Sequence, residues 1–424
     1  MQQTFDLPCP PPGPAARMDL ARELSKFREF GQSTRETVTE SRSFEGDAVQ
    51  VPTYVNEFWT ARQRQAHSLH EISYRACFKP QLPRFFIERL TAGGDVVYDP
   101  FMGRGTSLLE AALLSRVPWG CDVNPLSRVL LGPRLTPPTL EEISARLRQI
   151  DLSWPGPVRD DLLAFYHPET LRALTGLREY FLRRRAEFTM DPVDEWLCMV
   201  ALNRLTGHSA GFFSVYTLPP NQAVSIKSQI KINTRRNQTP PPRDLPRIIL
   251  KKSRNLLQDC NLECRATLAR TADKARLVTA DCRNTPGLPA NSVSLVVTSP
   301  PFLNVVDYAT DNWLRCWFLG VEAGSVELSV PKKLDAWQQI MTGVFRELHR
   351  LLRPGGHVAF EVGEVHGGKT KLEEAVISCG LAAGLNPLLV LINDQEFTKT
   401  ANCWGVNNNS SGTNTNRIVV LRKA

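Results

Sequence analysis

Residues 95–132 read as strand, glycine turn, helix and second strand, and few folds accommodate that succession at this spacing. Asp95 to Tyr98 is a short apolar strand. In the turn from Phe101 to Thr106, Gly103 and Gly105 permit sharp bends and close approach of the backbone to a ligand. Ser107 to Ser115 has the spacing of an amphipathic helix, and Pro118 to Asp122 is a strand ending in acid. The alternation resumes with strands at Arg276 to Ala280 and Val293 to Val297. A helix from Leu334 to Leu352 follows, stopped by Pro354-Gly355-Gly356, and then a strand from His357 to Val362. A helix at Leu372 to Ala383 and strands at Leu388 to Leu391 and Arg417 to Leu421 complete the series. The pattern predicts an α/β fold with a doubly wound, mostly parallel, seven-stranded sheet.

Three segments divide the 424 residues. Residues 1–50 are Pro-rich from Pro8 to Pro14 and then polar, and are expected to be a mobile leader with a helix around Met18 to Phe30. Residues 51–134 and 276–424 carry the sheet, and 135–275 interrupt it between the second and third strands. The interruption is helical at first, over Leu140 to Ile150, Pro168 to Arg185 and Val193 to Leu205. From Phe212 to Pro246 it is expected to be irregular, with Pro219-Pro220 and Pro240-Pro241-Pro242. An insertion this long usually has a task of its own, such as binding a partner.

Charge points to the kind of partner. The formal excess of +8, from 51 basic and 43 acidic residues, suits a polyanion only where it is concentrated. Lys227, Lys231, Arg235, Arg236, Arg243, Arg247, Lys251, Lys252 and Arg254 fall within 28 residues, opposed only by Asp244. That density fits phosphate contacts; a solvated helix face is the plainer alternative. Phe212 to Tyr216 and Asn221-Gln222 offer apolar wedges and groups that can bond to base edges. No stretch has the 18 apolar residues of a membrane helix, and a signal-peptide core is not seen. The ten cysteines are dispersed, as in a reduced, cytoplasmic protein. Cys260 and Cys264 form a lone close pair with no suitable histidine near them in sequence, so no metal site is expected.

The chemistry concentrates at strand ends. The helix start at Thr106 and Ser107 presents free N–H groups to a carboxylate or phosphate. Asp122, 17 residues after Gly105, can accept hydrogen bonds from ribose hydroxyls. The glycines depart from the dinucleotide-binding spacing and lack a P-loop lysine, which favours another nucleoside ligand over nicotinamide or ATP. Asp281 ends its strand where open α/β sheets bind ligands and can accept from an adenine amino group, or else caps a loop. Thr298-Ser299-Pro300-Pro301-Phe302 follows a buried strand with a stiff turn. Such a turn can aim the Ser299 hydroxyl and nearby carbonyls at one amino group on a planar heterocycle, with Phe302 as an aromatic face. Taken alone, it also reads as a proline-stopped strand end.

Together, Asp99-Pro-Phe-Met-Gly-Arg-Gly-Thr106, Asp122, Asp281 and Thr298 to Phe302 resemble the amino-methylating DNA methyltransferases, which use S-adenosylmethionine. The Ser-Pro-Pro-aromatic form is similar to the N4-cytosine branch; adenine enzymes usually carry Asp or Asn for the serine. Cys77 to Pro83 is similar to the family's methionine-binding segment, and Asn416 to Leu421 to its last strand. The resemblance covers 51–132 and 276–424, and the motif order looks like a circular permutation of the commoner one. It implies a Rossmann-like methyltransferase sheet. It also implies a cofactor site of Lys79, Asp99, Phe101, Gly103, Gly105, Thr106, Asp122, Asn124, Asp281 and Cys282. The catalytic turn would be Ser299, Pro300, Pro301 and Phe302. Lys227, Lys231, Arg235, Arg236 and Arg243 would hold double-stranded DNA, with the inserted segment as the candidate for target recognition. The activity implied is in-line methylation of cytosine N4 on a flipped-out base, without a covalent enzyme intermediate. The alternatives within methyl transfer are adenine N6 in DNA and a guanine amino group in RNA. The setting implied is the prokaryotic cytoplasm and nucleoid, with a cognate restriction endonuclease acting separately.

Overall fold

The computed structural model describes residues 20–60, 66–74, 77–217, 223–301, 308–322, 324, 331, 333–363, 371–394 and 415–424. In chain order the strands are β1 (Arg35–Arg42), β2 (Ala48–Asn56), β3 (Val96–Asp99), β4 (Val117–Asp122), β5 (Arg276–Thr279), β6 (Val293–Thr298), β7 (Leu352–Val362), β8 (Leu385–Asp394) and β9 (Thr415–Lys423). Among the described residues they form one nine-stranded sheet in the order β1-β2-β8-β9-β7-β6-β3-β4-β5. The seven expected strands are its body, and β9 runs antiparallel between β7 and β8.

Period-2 alternation assigns each strand residue to a face. Val97, Leu295, Val297, Ala359, Leu391 and Val420 point to one apolar layer. Their neighbours Tyr98, Val296, Val358, Phe360, Val390 and Val419 point to the other. The first layer is covered by α1 (Leu20–Ser25) and α2 (Gln81–Leu90), through Leu20, Leu24, Leu82, Phe85 and Phe86. The second is covered by α12 (Leu334–Leu351) and α13 (Leu372–Ala382), through Trp337, Phe345, Leu348 and Val376. Burial on both faces explains why β6 is apolar nearly throughout.

The expectation of a mobile leader over 1–50 fails from Leu20 onward. β1 and β2 pair as an antiparallel hairpin, and β2 extends the sheet by pairing in parallel with β8 from Thr53 to Asn56. The polar composition that suggested disorder belongs to an edge strand, exposed along most of β1. Residues 1–19 lie outside the described part. A second difference concerns Pro354-Gly355-Gly356. Leu352 pairs with Val293 and His357 with Leu295, so the three residues bulge within β7 rather than separating helix from strand.

The insertion lies between β4 and β5. Its helices are α5 (Leu140–Gln149), α6 (Pro168–Ala186), α7 (Pro192–Leu202), α8 (Ile226–Arg236), α9 (Leu245–Leu256) and α10 (Leu262–Ala272). The stretch expected to be irregular up to Pro246 thus contains α8 and the start of α9. Ser225 caps α8 by accepting the Ser228 N–H, and Asn237 ends it in the left-handed conformation. Pro219 and Pro220 lie outside the described residues. The inserted helices share one core with the sheet domain. Trp196, Leu197, Phe213 and Ile249 pack with residues of α3 (Thr106–Leu113), α4 (Leu126–Leu135) and α11 (Tyr308–Leu319).

Candidate functional site

The sheet reverses its winding between β3 and β6, which pair directly through Val97 with Leu295 and Tyr98 with Val296. From β3 the chain proceeds to β4 and β5 on one side; from β6 it proceeds to β7 on the other. Ligands of open α/β sheets bind beyond the strand ends at such a switch. A cleft of about 1150 Å³, including the part open to solvent, lies there.

The glycine loop forms one wall. Gly103 and Gly105 have φ of 48° and 76°, a region L side chains avoid. A Cβ on Gly105 would also come within 2.8 Å of Leu131, so α4 packs hard against the loop at that point. The acid that ends the neighbouring strand β4 accepts one N–H from the loop and one from its own following turn. Gly103 N–H donates to Asp122 Oδ2 at 2.8 Å, and Asn124 N–H to Oδ1 at 2.9 Å. Each oxygen keeps a second lone pair for a ligand hydroxyl. Burial pushes the Asp122 carboxyl above its ordinary value, partly offset by these donors. Arg104 spans the loop, donating to Thr106 Oγ1 and to the Ile72 carbonyl, both at 3.0 Å.

The two motifs meet at Asp99. Its Oδ1 accepts the Thr298 hydroxyl at 2.6 Å and the Phe101 N–H at 3.1 Å. The carboxyl is buried, and burial raises it from an ordinary 3.8 to about 6. One residue on, the Ser299 hydroxyl lies beside the carboxylate of Glu361 on β7 and favours its ionised form. Glu361 is buried and also accepts from Asn416 Nδ2 at 3.1 Å; burial raises its carboxyl too. The Pro301 carbonyl accepts the Trp337 indole N–H at 3.2 Å, which ties the turn to α12.

Most of the expected residues converge on the cleft. Asp99, Phe101, Gly103, Thr106, Asp122, Asn124, Asp281, Cys282, Ser299 and Pro301 all line it. Gly105 and Pro300 are buried behind it. Lys79 is exposed and outside the lining, whereas its neighbours Cys77 and Phe78 are part of it. Phe302 lies outside the described residues. Asp281 faces the cleft, but Arg283 chelates it, with Nε 2.9 Å and Nη2 2.5 Å from Oδ2, holding its carboxyl below the ordinary range. Burial pushes the Cys282 thiol well up. Sequence reasoning missed Tyr74, which lies against Gly103 of the loop, the part Arg104 plays in the lining, and the Trp337, Ile340, Met341 and Val344 face of α12. It also missed Glu361, although an acid inside the apolar run Val358 to Val362 was a usable signal.

The expected basic residues divide. Lys227, Lys231, Arg235 and Arg236 are exposed on α8, and the Arg236 guanidinium sits 3.8 Å over the Tyr216 ring. Arg243 is half-buried; its backbone N–H donates to Thr170 Oγ1 at 2.8 Å, and burial lowers its side chain's pKa. On α9, Arg247, Lys251 and Arg254 face solvent, whereas Lys252 turns inward to the Glu71 carbonyl and burial lowers it to about 8. Asn221 and Gln222 lie outside the described residues.

The topology, with its cleft at the switch between β3 and β6, is that of a Rossmann-like α/β fold. Residues 26–126 match the family described as DNA methylase. The match begins ahead of the hairpin, in the region composition had marked as mobile. The chain is 32% identical over 74 residues to the type II methyltransferase M.MjaII of Methanocaldococcus jannaschii, covering 18% of this chain and 14% of that protein. It is 32% identical over 103 residues to the type II methyltransferase M.MvaI of Kocuria varians, covering 24% and 22%. The alignments thus span under a quarter of either relative. Among solved structures, TrmN from Thermus thermophilus is 14% identical with a TM-score of 0.32, covering 84% of this chain and 52% of that one. No helix among the described residues is long and apolar enough to cross a membrane.

Proposed function

We propose that the chain methylates the exocyclic N4 of cytosine in double-stranded DNA, with S-adenosylmethionine as donor. The observation that carries the reading is the Ser299 hydroxyl, set against buried Glu361 just past the end of β6, in the lining of the switch-point cleft.

The residues present fit the cofactor. No side chain caps α3, whose N-cap is Gly105, so its first N–H groups are open to a carboxylate. Asp122 keeps lone pairs for ribose hydroxyls, and Phe101, Ile340, Met341 and Val344 offer an apolar berth for a flat ring. Asp281, Cys282 and Asn124 border the same space. When bound, S-adenosylmethionine supplies an electrophilic methyl group on a sulfonium.

The chain's own task is to present a poor nucleophile correctly. The lone pair of an aromatic amine is delocalised into its ring, and acceptors on the amine's hydrogens favour the pyramidal form that frees it. With Glu361 ionised, Ser299 gives its proton to that carboxylate, so its oxygen faces a ligand as an acceptor. The Trp337 bond to the Pro301 carbonyl holds the turn in place, so little motion is spent in reaching the reactive geometry. An amine inside a duplex is out of reach, so the target base must be flipped out. Exposed Lys227, Lys231, Arg235 and Arg236 provide phosphate contacts on α8. A cognate endonuclease would act as a separate protein, in the prokaryotic cytoplasm.

The test is transfer of labelled methyl from S-adenosylmethionine to duplex DNA, followed by nucleoside mass spectrometry. N4-methylcytosine is expected. N6-methyladenine alone would overturn the cytosine assignment, and methylation of RNA but not DNA would overturn the substrate class. Full activity in Ser299→Ala would overturn the proposed site.

A further inference from the structure

Away from the cleft, the fold sets a histidine beside two cysteines that the sequence keeps far from it. Cys260 and Cys264 flank the turn into α10, and His67 precedes Cys260 by 193 residues. His67 Nε2 is nevertheless 3.4 Å from Cys264 Sγ, and the ring nitrogen and both sulfurs lie within 4.8 Å of one another. Three hydrogen bonds staple the two segments together. Ser68 N–H donates to Asp259 Oδ2 at 2.8 Å, Asp259 N–H to Ser68 Oγ at 3.1 Å, and Ser68 Oγ to the Leu256 carbonyl at 2.8 Å. The expectation that no suitable histidine is near this pair is therefore corrected by the fold.

A His-Cys-Cys group invites a metal reading, and the ring's other bond argues against it. His67 Nδ1 accepts the Leu69 N–H at 3.2 Å, capping the short turn Ser68–His70. A nitrogen that accepts carries no proton, so that contact assigns the proton of the neutral ring to Nε2. Nε2 then donates to Cys264 and has no lone pair for an ion; a metal-bound histidine shows the reverse arrangement. Hydrogen-bonded in this way, the pair stabilises a thiolate. Cys264 is also the third residue of α10, its N–H held by Asn261 Oδ1 at 2.8 Å, within the positive end of the helix. The Cys260 thiol, then His67, hold Cys264 below the ordinary thiol range, while the same contact pushes Cys260 up.

We infer that Cys264 is a nucleophilic thiolate and Cys260 its resolving thiol, forming a two-cysteine site oxidised by hydroperoxides. Cys264 is half-buried in a helical turn whose Leu262 is 86% exposed, so a small oxidant can reach it; Cys260 is buried and reacts second. The Cys264 sulfur attacks the terminal oxygen of the hydroperoxide, and the O–O bond breaks. Cys264 becomes a sulfenic acid, and the alkoxide leaves and takes a proton from solvent. The Cys260 sulfur then attacks Cys264 sulfur, an S–S bond forms, and hydroxide departs as water with the Cys260 proton. Two thiols are oxidised by two electrons, and one hydroperoxide is reduced to an alcohol and water.

The full-length protein, reduced and treated with a chelator, tests this by peptide mass spectrometry. At pH 6, iodoacetamide is expected to label Cys264 about tenfold faster than a model cysteine peptide, and His67→Phe to remove most of that advantage. One equivalent of hydrogen peroxide is expected to give a Cys260–Cys264 disulfide. Cys260→Ser is expected to accumulate a sulfenic acid on Cys264 that a dimedone-type probe traps. Labelling no faster than the peptide's would overturn the inference. So would one equivalent of bound zinc(II) that shields both thiols until chelated, since that outcome makes the group a metal site.

Discussion

Glu361 and Asp99 are buried acids with different tasks, and each can be tested by one substitution. Glu361→Leu removes the acceptor of the Ser299 proton, so the hydroxyl is free to turn away from a ligand amine. Loss of a charge-assisted hydrogen bond predicts a fall in kcat of about 10- to 100-fold. S-adenosylmethionine affinity, measured by calorimetry, should stay nearly unchanged; Glu361→Gln, which keeps a carbonyl acceptor, should retain more activity. Asp99 affects stability. Its native carboxyl titrates at about 6 rather than 3.8, so between those values the folded chain holds a proton that the unfolded chain has released. Stability from this group therefore falls as pH rises through that window, by about 3 kcal/mol at most. Asp99→Asn keeps an oxygen for Thr298 and Phe101 and removes the titration. Its melting temperature relative to the parent should rise from pH 4 to pH 7; a constant difference would show that Asp99 is not the group. Asp99 and Asp122 were legible in the sequence because the glycine loop surrounds them within a few residues. Glu361 and Trp337 were not, since they lie 62 and 38 residues beyond Ser299 and only the pairing of β6 with β7 and the packing of α12 bring them there.

Elements were legible where their apolar period was strong and hidden where polar residues covered a real strand or helix. β3, β4 and β6 follow their expected limits to within a residue or so. The hairpin of β1 and β2 was hidden because its stability comes from distant partners. The Ser41 hydroxyl donates to the Glu374 carbonyl of α13 at 2.9 Å, and Thr53 to Asn56 depend on β8. α8 was hidden by its low apolar content and flanking prolines, and its caps were the only local sign. Its exposed Lys227, Lys231 and Arg235 lie at near-helical repeats, which gives the element a continuous basic face. Replacing all three with alanine should weaken duplex binding and make the slope of log K against log salt shallower by about 3. Lys252→Ala should leave that slope unchanged, because its ammonium is committed to Glu71. Fluorescence anisotropy across a salt series checks both, and an unaltered slope in the triple variant would remove α8 from the interface.

At the scale of the whole molecule, the insertion is continuous with the domain it interrupts. Composition divides the chain at Leu135 and Ala275, but the apolar contacts do not. Trp196 on α7 is buried in the same core as Leu108 of α3 and Leu131 of α4, and its indole N–H donates to Ser253 Oγ of α9 at 3.0 Å. Leu131 in turn sits where any side chain on Gly105 would be, so the core that the insertion shares with α4 backs directly onto the glycine loop. Sequence period cannot reveal this, because it reports which face of a helix is apolar and not which partner covers it. Trp196→Ala should therefore cost about 3–5 kcal/mol. It should lower the single melting transition seen by tryptophan fluorescence and by far-ultraviolet circular dichroism alike. S-adenosylmethionine affinity should fall with it, because α3 and the loop lose the packing that holds Gly105 in its left-handed turn. Were the insertion an independent module, the same substitution would split unfolding into two transitions and leave cofactor binding intact. The shared core also means that α8 and the glycine loop rest on one set of contacts, so under the proposed function loosening that core should weaken binding of both duplex DNA and S-adenosylmethionine.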